Sequence, residues 1–306
     1  MTAEFTPSPL FERVERARRR KHKIRETQIT LAVVTRDRSE QLSTYLLPSL
    51  GALLAAGHTV VAVDQSTDDS TARLVREYAG VRYLRSEPGI SRARNVAIRK
   101  TAAPLLAFTD DDVTLFDGWL DSIARLFEAN PEAGVVCGRG VRSNGSLLPG
   151  VLAGTYRWPK NPFGLGHGFN IAFRRRVFDD VGLFDEELGA GAAYASGEDT
   201  DLIYRAMRAG WAVLCSDDLT VVHHEWRSDP AEVRLHVGYG LGAGALAAKH
   251  VRAGDRTMLR LALLEAGRHL VTMARAALTL RPHLFRLQVA YLRGLARGLR
   301  RPAIRS

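Results

Sequence analysis

From Ile29 to about His224 the chain alternates short β-branched apolar runs with segments whose apolar residues recur every three or four positions. That alternation predicts an α/β domain: a Rossmann-like, mostly parallel sheet with helices on both faces. Strands are expected at Ile29–Val34, Thr59–Val63, Val81–Leu84, Leu105–Thr109 and Val135–Gly138, and later at Asn170–Phe173, Ala212–Cys215 and Thr220–His224. Helices are expected at Glu40–Ala56, Ser70–Tyr78, Ser91–Thr101 and Trp119–Ala129, the first kinked at Pro48. Residues 142–168 are rich in Gly, Pro and Asn without a period, which predicts a long loop of the kind that serves function.

Beyond Asp229 the pattern changes to Gly-rich residues 237–248 and then to Leu, Ala and Arg, interrupted at Gly254 and Pro282. This predicts several helices with basic faces. The chain therefore divides into a basic N-terminal tail (1–27), a catalytic-type domain (28–228) and a basic helical C-terminal region (229–306).

The formal net charge of +10 favours an anionic partner: a phospholipid surface, a nucleotide or a nucleic acid. The first 27 residues lack the apolar core of a signal peptide, and arginines break every C-terminal stretch before it reaches the ~18 apolar residues of a spanning helix. The expectation is a cytoplasmic protein, at most peripheral at the inner face of the plasma membrane. Cys137 and Cys215, the only two cysteines, fall in buried-strand patterns and suggest neither a disulfide framework nor a zinc site.

Candidate chemistry begins where the fourth strand runs into Asp110-Asp111-Asp112. Ligands of open parallel sheets bind beyond the carboxyl ends of strands. Three adjacent acids repel one another, and a hard divalent ion relieves that repulsion while keeping sites for phosphate oxygens. The competing reading is an acidic loop that caps the next helix.

Four further segments join the triplet in order: Val63-Asp64-Gln65-Ser66-Thr67-Asp68-Asp69-Ser70, Gly89-Ile90-Ser91-Arg92-Ala93-Arg94-Asn95, Gly168-Phe169-Asn170-Ile171-Ala172-Phe173-Arg174-Arg175, and Gly197-Glu198-Asp199-Thr200-Asp201-Leu202. Over about Ile29 to Arg227 the series resembles the inverting family 2 glycosyltransferases of the GT-A fold. The resemblance implies a nucleotide-diphosphate sugar donor, a divalent metal (Mn²⁺ or Mg²⁺), and a saccharide or lipid-linked acceptor in cell-envelope polysaccharide or glycolipid synthesis.

The resemblance also implies roles. Asp64 accepts a hydrogen bond from the donor's base, which favours a UDP-sugar, with Thr35 and Arg36 beside it. Arg94 lies near the diphosphate. Asp110 and Asp112 match the ends of the DXD motif, Asp112 as direct metal ligand and Asp110 with the ribose or the metal's water shell. Asp111 joins the donor-facing set without a role on the metal. Asp199 is the catalytic base and Glu198 orients the acceptor. A histidine often completes the metal site, and strand alternation admits only one of His223 and His224, with His224 preferred.

Structural alternatives stand beside these roles. Ser196–Asp199 fits a capping-box-like helix start, Arg94 fits a solvated helix face, and a strand histidine is commonly a core residue. Tyr156 and Trp158 suit stacking on an acceptor sugar, or packing that holds their loop down.

Other functions leave other traces. A nucleotidyltransferase carries a Gly-rich basic loop after the first strand, where this chain has Thr35-Arg36-Asp37-Arg38. A nucleic-acid binder interleaves aromatics with its basic run, and residues 16–25 contain none. A non-catalytic binding protein on a transferase scaffold has no need of the complete carboxylate set.

Overall fold

The computed structural model describes residues 28–150, 152–224 and 229–300. The basic tail 1–27, Val151, residues 225–228 after the histidine pair, and residues 301–306 lie outside the described residues.

Among the described residues nine strands form one curled sheet in the order β3-β2-β1-β4-β8-β6-β9-β5, with β7 also paired to β9. The strands are β1 (Ile29–Thr35), β2 (Thr59–Asp64), β3 (Val81–Arg85), β4 (Leu105–Asp110), β5 (Val113–Thr114), β6 (Ala133–Arg142), β7 (Gly154–Tyr156), β8 (Ile171–Arg174) and β9 (Ala212–His223). The pairs β1–β2, β2–β3, β1–β4 and β6–β9 are parallel. Strand β8 runs antiparallel between β4 and β6.

Every residue of β1 is buried, because helices cover both faces of a parallel sheet. One core gathers α1 (residues 39–55) and α4 (Trp119–Ala129) on one face; the other gathers α3 (Ile90–Lys100), α5 (Arg175–Val181) and α6 (Glu198–Arg208). Helix α2 (Ser70–Glu77) flanks β2 and β3.

Two expected elements differ in form. The kinked helix at 40–56 is a composite: an α-turn at Ser39–Gln41, a π-turn at Leu42–Leu46, a 3₁₀ turn at Leu47–Leu50 and an α-turn at Gly51–Ala55. Pro48 has no N–H to donate and its ring clashes with a carbonyl one turn earlier, so the ladder changes pitch around it. The two strands expected at Ala212–Cys215 and Thr220–His224 are one strand, β9. Its register against β6 shifts between the pairs Gly138–Ser216 and Gly140–Val221, so the polar residues Asp217 and Asp218 are absorbed in a bulge rather than a turn. Cys137 and Cys215 are register partners across β6 and β9, and both thiols are buried and free.

The C-terminal region is three helices, α7 (Asp229–Arg252), α8 (Thr257–Leu278) and α9 (Pro282–Arg300), separated near Gly254 and Pro282 as expected. Among the described residues no helix is long and apolar enough to cross a membrane. Helices α7 and α9 approach closely through Gly240, Gly244, Gly294 and Gly298, where an added methyl group would enter the facing backbone. The bundle packs on the sheet domain through Leu188, Tyr194 and Tyr204. A buried polar joint reinforces that packing: Asp201 of α6 accepts from Arg205 Nε (2.8 Å), Lys249 Nζ (3.1 Å) and His250 Nε2 (3.0 Å). These donors outweigh burial and hold the Asp201 carboxyl below the usual carboxylate range.

Candidate active site

In-register parallel pairing brings the chemistry to one sheet edge. Thr35 pairs with Asp64 across β1 and β2, and Val34 pairs with Asp110 across β1 and β4. The acidic triplet thus emerges beside the end of β1, where the Thr35 hydroxyl donates to Asp111 Oδ2 (2.7 Å). Arg38 spans two of the acids, with Nη1 at 2.8 Å from Asp111 Oδ1 and Nη2 at 2.6 Å from Asp112 Oδ2. Asp111 and Asp112 are each 1 % exposed. They are structured, not a loose acidic cap.

Asp110, Asp112 and His223 form a group whose ligand atoms lie within 4.8 Å of one another. Antiparallel pairing of Val113 with His223 sets the histidine beside the triplet, and its Nε2 lies 3.5 Å from Asp112 Oδ1. The His223 ring rests on Phe169, and its buried Nδ1 has no hydrogen-bond partner among the described residues. Of the two histidines it is thus His223 that lies with the acids. Strand alternation turns His224 away, where it stacks on Tyr45 at 3.9 Å and bonds Thr114 Oγ1 (3.0 Å) and Ser143 Oγ (3.1 Å).

The electrostatics favour a bound cation. Burial, then the neighbouring Asp112, raises the Asp110 carboxyl above its ordinary range. Burial pushes Asp111 up to about 7 against the pull of Arg38 and Thr35. One guanidinium does not neutralise three acids, and two carboxylates with an imidazole could hold a metal ion.

The second acidic pair opens α6. Gly197 caps that helix with φ +97°, a left-handed conformation that favours glycine. No capping box forms: the Ser196 hydroxyl donates instead to the Gly238 carbonyl of α7 (3.0 Å). Glu198 is 8 % exposed and pairs with Arg94 Nη1 at 3.0 Å. Arg94 is no solvated helix residue: it is 2 % exposed, lies near the Phe108 and Phe184 rings, and donates to the Gly168 carbonyl (3.1 Å). Its guanidinium meets the site through Glu198. Burial, then adjacent Asp199, pushes the Glu198 carboxyl up to about 7, with Arg94 opposing. Asp199 is half-buried, and its Oδ1 accepts from the Thr200 backbone N–H at 2.6 Å. His167 stacks on Phe169, whose ring also meets that of His223, and burial lowers the His167 imidazole below its ordinary range against the pull of Asp199.

Asp64 is fully buried and ties down the chain beyond β2. Its Oδ1 accepts from the Ser66 N–H (2.8 Å), and its Oδ2 accepts from Tyr83 Oη (2.8 Å) and Arg85 Nη1 (3.4 Å). Arg36 is exposed beside Asp37, whose own carboxylate accepts from the Thr67 N–H (2.9 Å) and so clasps the loops after β1 and β2.

The aromatic pair expected to stack on an acceptor is used by the fold itself. Trp158 packs edge-on to Tyr204 (5.5 Å) under the Arg208 guanidinium (5.0 Å), at the opposite end of α6 from Asp199. Tyr156 pairs with Val213 in the sheet, donates to the Leu152 carbonyl (2.8 Å) and carries Lys160 over its ring. Tyr156 thus ties the loop to the sheet and Trp158 ties it to α6.

Sequence reasoning missed Arg38, His167 and Phe169 as site residues. Arg38 lies four residues past the last apolar position of β1, so its meeting with the triplet follows only once β1 and β4 are neighbours.

The family model described as glycosyl transferase family 2 matches residues 30–182. The O-antigen biosynthesis protein RfbC of Myxococcus xanthus is 26% identical over 278 residues, 80% of this chain and 20% of that protein. The pre-mycofactocin glycosyltransferase of Mycobacterium tuberculosis is 30% identical over 179 residues, 53% of this chain and 36% of that protein. The chain thus spans between a fifth and about a third of these relatives' lengths. Among solved structures, the mannosyltransferase PcManGT from Pyrobaculum calidifontis, in complex with GDP-Man and Mn²⁺, superposes with a TM-score of 0.60 at 16% identity, covering 94% of both chains. TarS 1–349 of S. aureus in complex with UDP-GlcNAc superposes with a TM-score of 0.53 at 16% identity, covering 87% of this chain and 92% of that one. Both likenesses concern the fold, the GT-A type of sheet.

Proposed function

The chain belongs to glycosyl transferase family 2 and is a glycosyltransferase, and from that premise we propose that it moves a sugar from a nucleotide-diphosphate donor to an acceptor hydroxyl with inversion, in a metal-dependent reaction. The observation that carries this reading is the gathering of Asp110, Asp112 and His223 at the sheet edge, with Glu198-Asp199 opening α6 as a second acidic pair.

Asp112, Asp110 and His223 would hold Mn²⁺ or Mg²⁺, and a buried imidazole with its Nδ1 unpartnered fits that ligand role. When bound, such an ion supplies positive charge to the departing diphosphate. Arg38 fixes Asp111 and Asp112 in place, with Thr35 securing Asp111. Asp64 organises the base end of the cleft, and a carboxylate there favours a pyrimidine imide, most simply that of a UDP-sugar. Arg36 lies beside that end.

Asp199 takes the proton of the acceptor hydroxyl as its oxygen bonds to the anomeric carbon and the bond to the diphosphate oxygen breaks. One displacement without a protein nucleophile inverts the configuration. Glu198, held by Arg94, orients the acceptor. A saccharide or lipid-linked acceptor in envelope polysaccharide or glycolipid synthesis fits the description of the Myxococcus relative as an O-antigen biosynthesis protein. The catalytic unit of this proposal is residues 28–228.

The test is Asp199→Asn. Loss of a positioned base lowers transfer by at least about a hundredfold, while donor binding measured by calorimetry stays within about twofold of the unmodified protein. Unchanged turnover removes Asp199 from the mechanism.

A further inference from the structure

We propose that the outer face of α8, continued through the turn into α9, is a docking surface for an anionic lipid bilayer. Helix α8 is apolar on two sides. Met258, Leu261, Ala262 and Ala276 are buried, against the sheet domain and neighbouring helices. Leu263, Leu264, Leu270, Val271 and Leu278 are about half or more exposed. Their spacings of one, seven and eight residues put them on one side of a helix of 3.6 residues per turn, away from the buried set. A helix that packs on one side only has no need of that second stripe, and exposed apolar patches of this kind mark contact sites.

The turn between α8 and α9 strengthens the pattern. Leu280 is 86 % exposed and has φ +53°, a conformation in which glycine is favoured and a leucine is strained. Leu278 is 84 % exposed two residues earlier, and Phe285 follows in the first turn of α9. The tip of the hairpin thus presents large apolar side chains to solvent.

Charge identifies the occupant. Residues 257–300 contain eight arginines and one acid, Glu265, which is engaged by Arg268 Nη1 at 3.1 Å. Arg260, Arg268 and Arg275 are exposed on α8, Arg281 in the turn, and Arg286, Arg293, Arg297 and Arg300 along α9. A second copy of this face would bring like charge against like charge, whereas a bilayer takes leucines among its acyl chains and guanidiniums on its phosphates. The glycine-tight contact of α7 with α9, and the Asp201 joint, fix this surface rigidly to the sheet domain. The inference stands independently of the transfer chemistry.

The test is flotation of the full chain with vesicles of phosphatidylcholine alone, or with phosphatidylglycerol added, at low salt. The chain is expected to float with the anionic vesicles only. Arg268→Gln/Arg275→Gln should weaken partitioning roughly fivefold per arginine. Leu270→Ser/Leu278→Ser should weaken it at least about tenfold. Melting temperature and sugar-nucleotide binding of these surface variants should stay unchanged, which separates a failure of docking from a failure of the enzyme. No flotation overturns the proposal. So does loss in the arginine variant alone, which would mean adsorption without insertion. A vesicle-free dimer abolished by the leucine substitutions also overturns it, in favour of self-association.

Discussion

Two neighbouring histidines show how much one strand position decides. His223 sits with Asp110 and Asp112, and His224 sits under Tyr45, because successive side chains take opposite faces where β9 ends. His223→Ala should therefore lower the affinity for Mn²⁺ about 10- to 100-fold, as removal of a metal-site group does, whereas His224→Ala should leave it within about twofold. Titration of metal-dependent turnover checks both, and the opposite ranking would return the metal site to His224. Glu198 carries a second expectation. Its carboxyl is raised to about 7 in the folded chain by burial and by Asp199, whereas an unfolded glutamate titrates near pH ~4.3. Between those values the folded state holds a proton that the unfolded state has lost, so stability falls as pH rises from about 4.5 to 7 and levels off above. Thermal melts in chelator should show that decline, and Glu198→Gln should reduce it by several degrees, since about 1 kcal/mol moves a domain of this size roughly 2–4 °C. Equal pH slopes in both proteins would remove Glu198 as its source.

Elements were legible where burial is two-sided and obscure where a turn of chain departs from ideal geometry. The strands β1, β2 and β4 stand out because continuous runs such as Ile29–Thr35 have no solvent face to interrupt them. The stretch 39–55 keeps a helical apolar spacing, yet spacing does not distinguish π from 3₁₀ turns around Pro48. Asp217 and Asp218 read as a break because a bulge and a turn look alike in one dimension. Among the carboxylates the triplet and Glu198-Asp199 were visible as motifs, but Arg38, His167 and the burial of Arg94 depend on which strands and loops are neighbours. Glycines near the C-terminus were legible only as composition; the packing of α7 on α9 explains Gly240, Gly244, Gly294 and Gly298. Gly294→Ala should cost about 1–3 kcal/mol, because its new methyl group meets the Val237 carbonyl and Leu241 nitrogen. Gly267→Ala, with nothing within 4 Å of the added atom, should stabilise by up to about 1 kcal/mol through helix propensity. Denaturant melts of the two variants read the contrast, and equal effects would mean the helices are not in that close contact.

At the scale of the whole molecule a net charge of +10 attracts any polyanion, so binding of a nucleotide is not by itself recognition. What separates the two is where the charge acts. Diffuse attraction is screened by salt over about 10 Å at 0.1 M, whereas the carboxylates of Asp110 and Asp112, grouped with His223, repel a diphosphate until a cation bridges them. Recognition should therefore need metal and nucleotide together. At a hundredfold excess over its dissociation constant a ligand adds about 2.7 kcal/mol to stability, which corresponds to a rise in melting temperature of roughly 5 °C or more. UDP with Mn²⁺ should produce that rise in 0.3 M salt. UDP in chelator, Mn²⁺ alone and inorganic pyrophosphate with Mn²⁺ should each produce less than half of it. If UDP stabilises equally in chelator, the acids are not holding the ion that holds the donor. If GDP matches UDP, Asp64 is not reading a pyrimidine, and the base end of the cleft is built for packing alone.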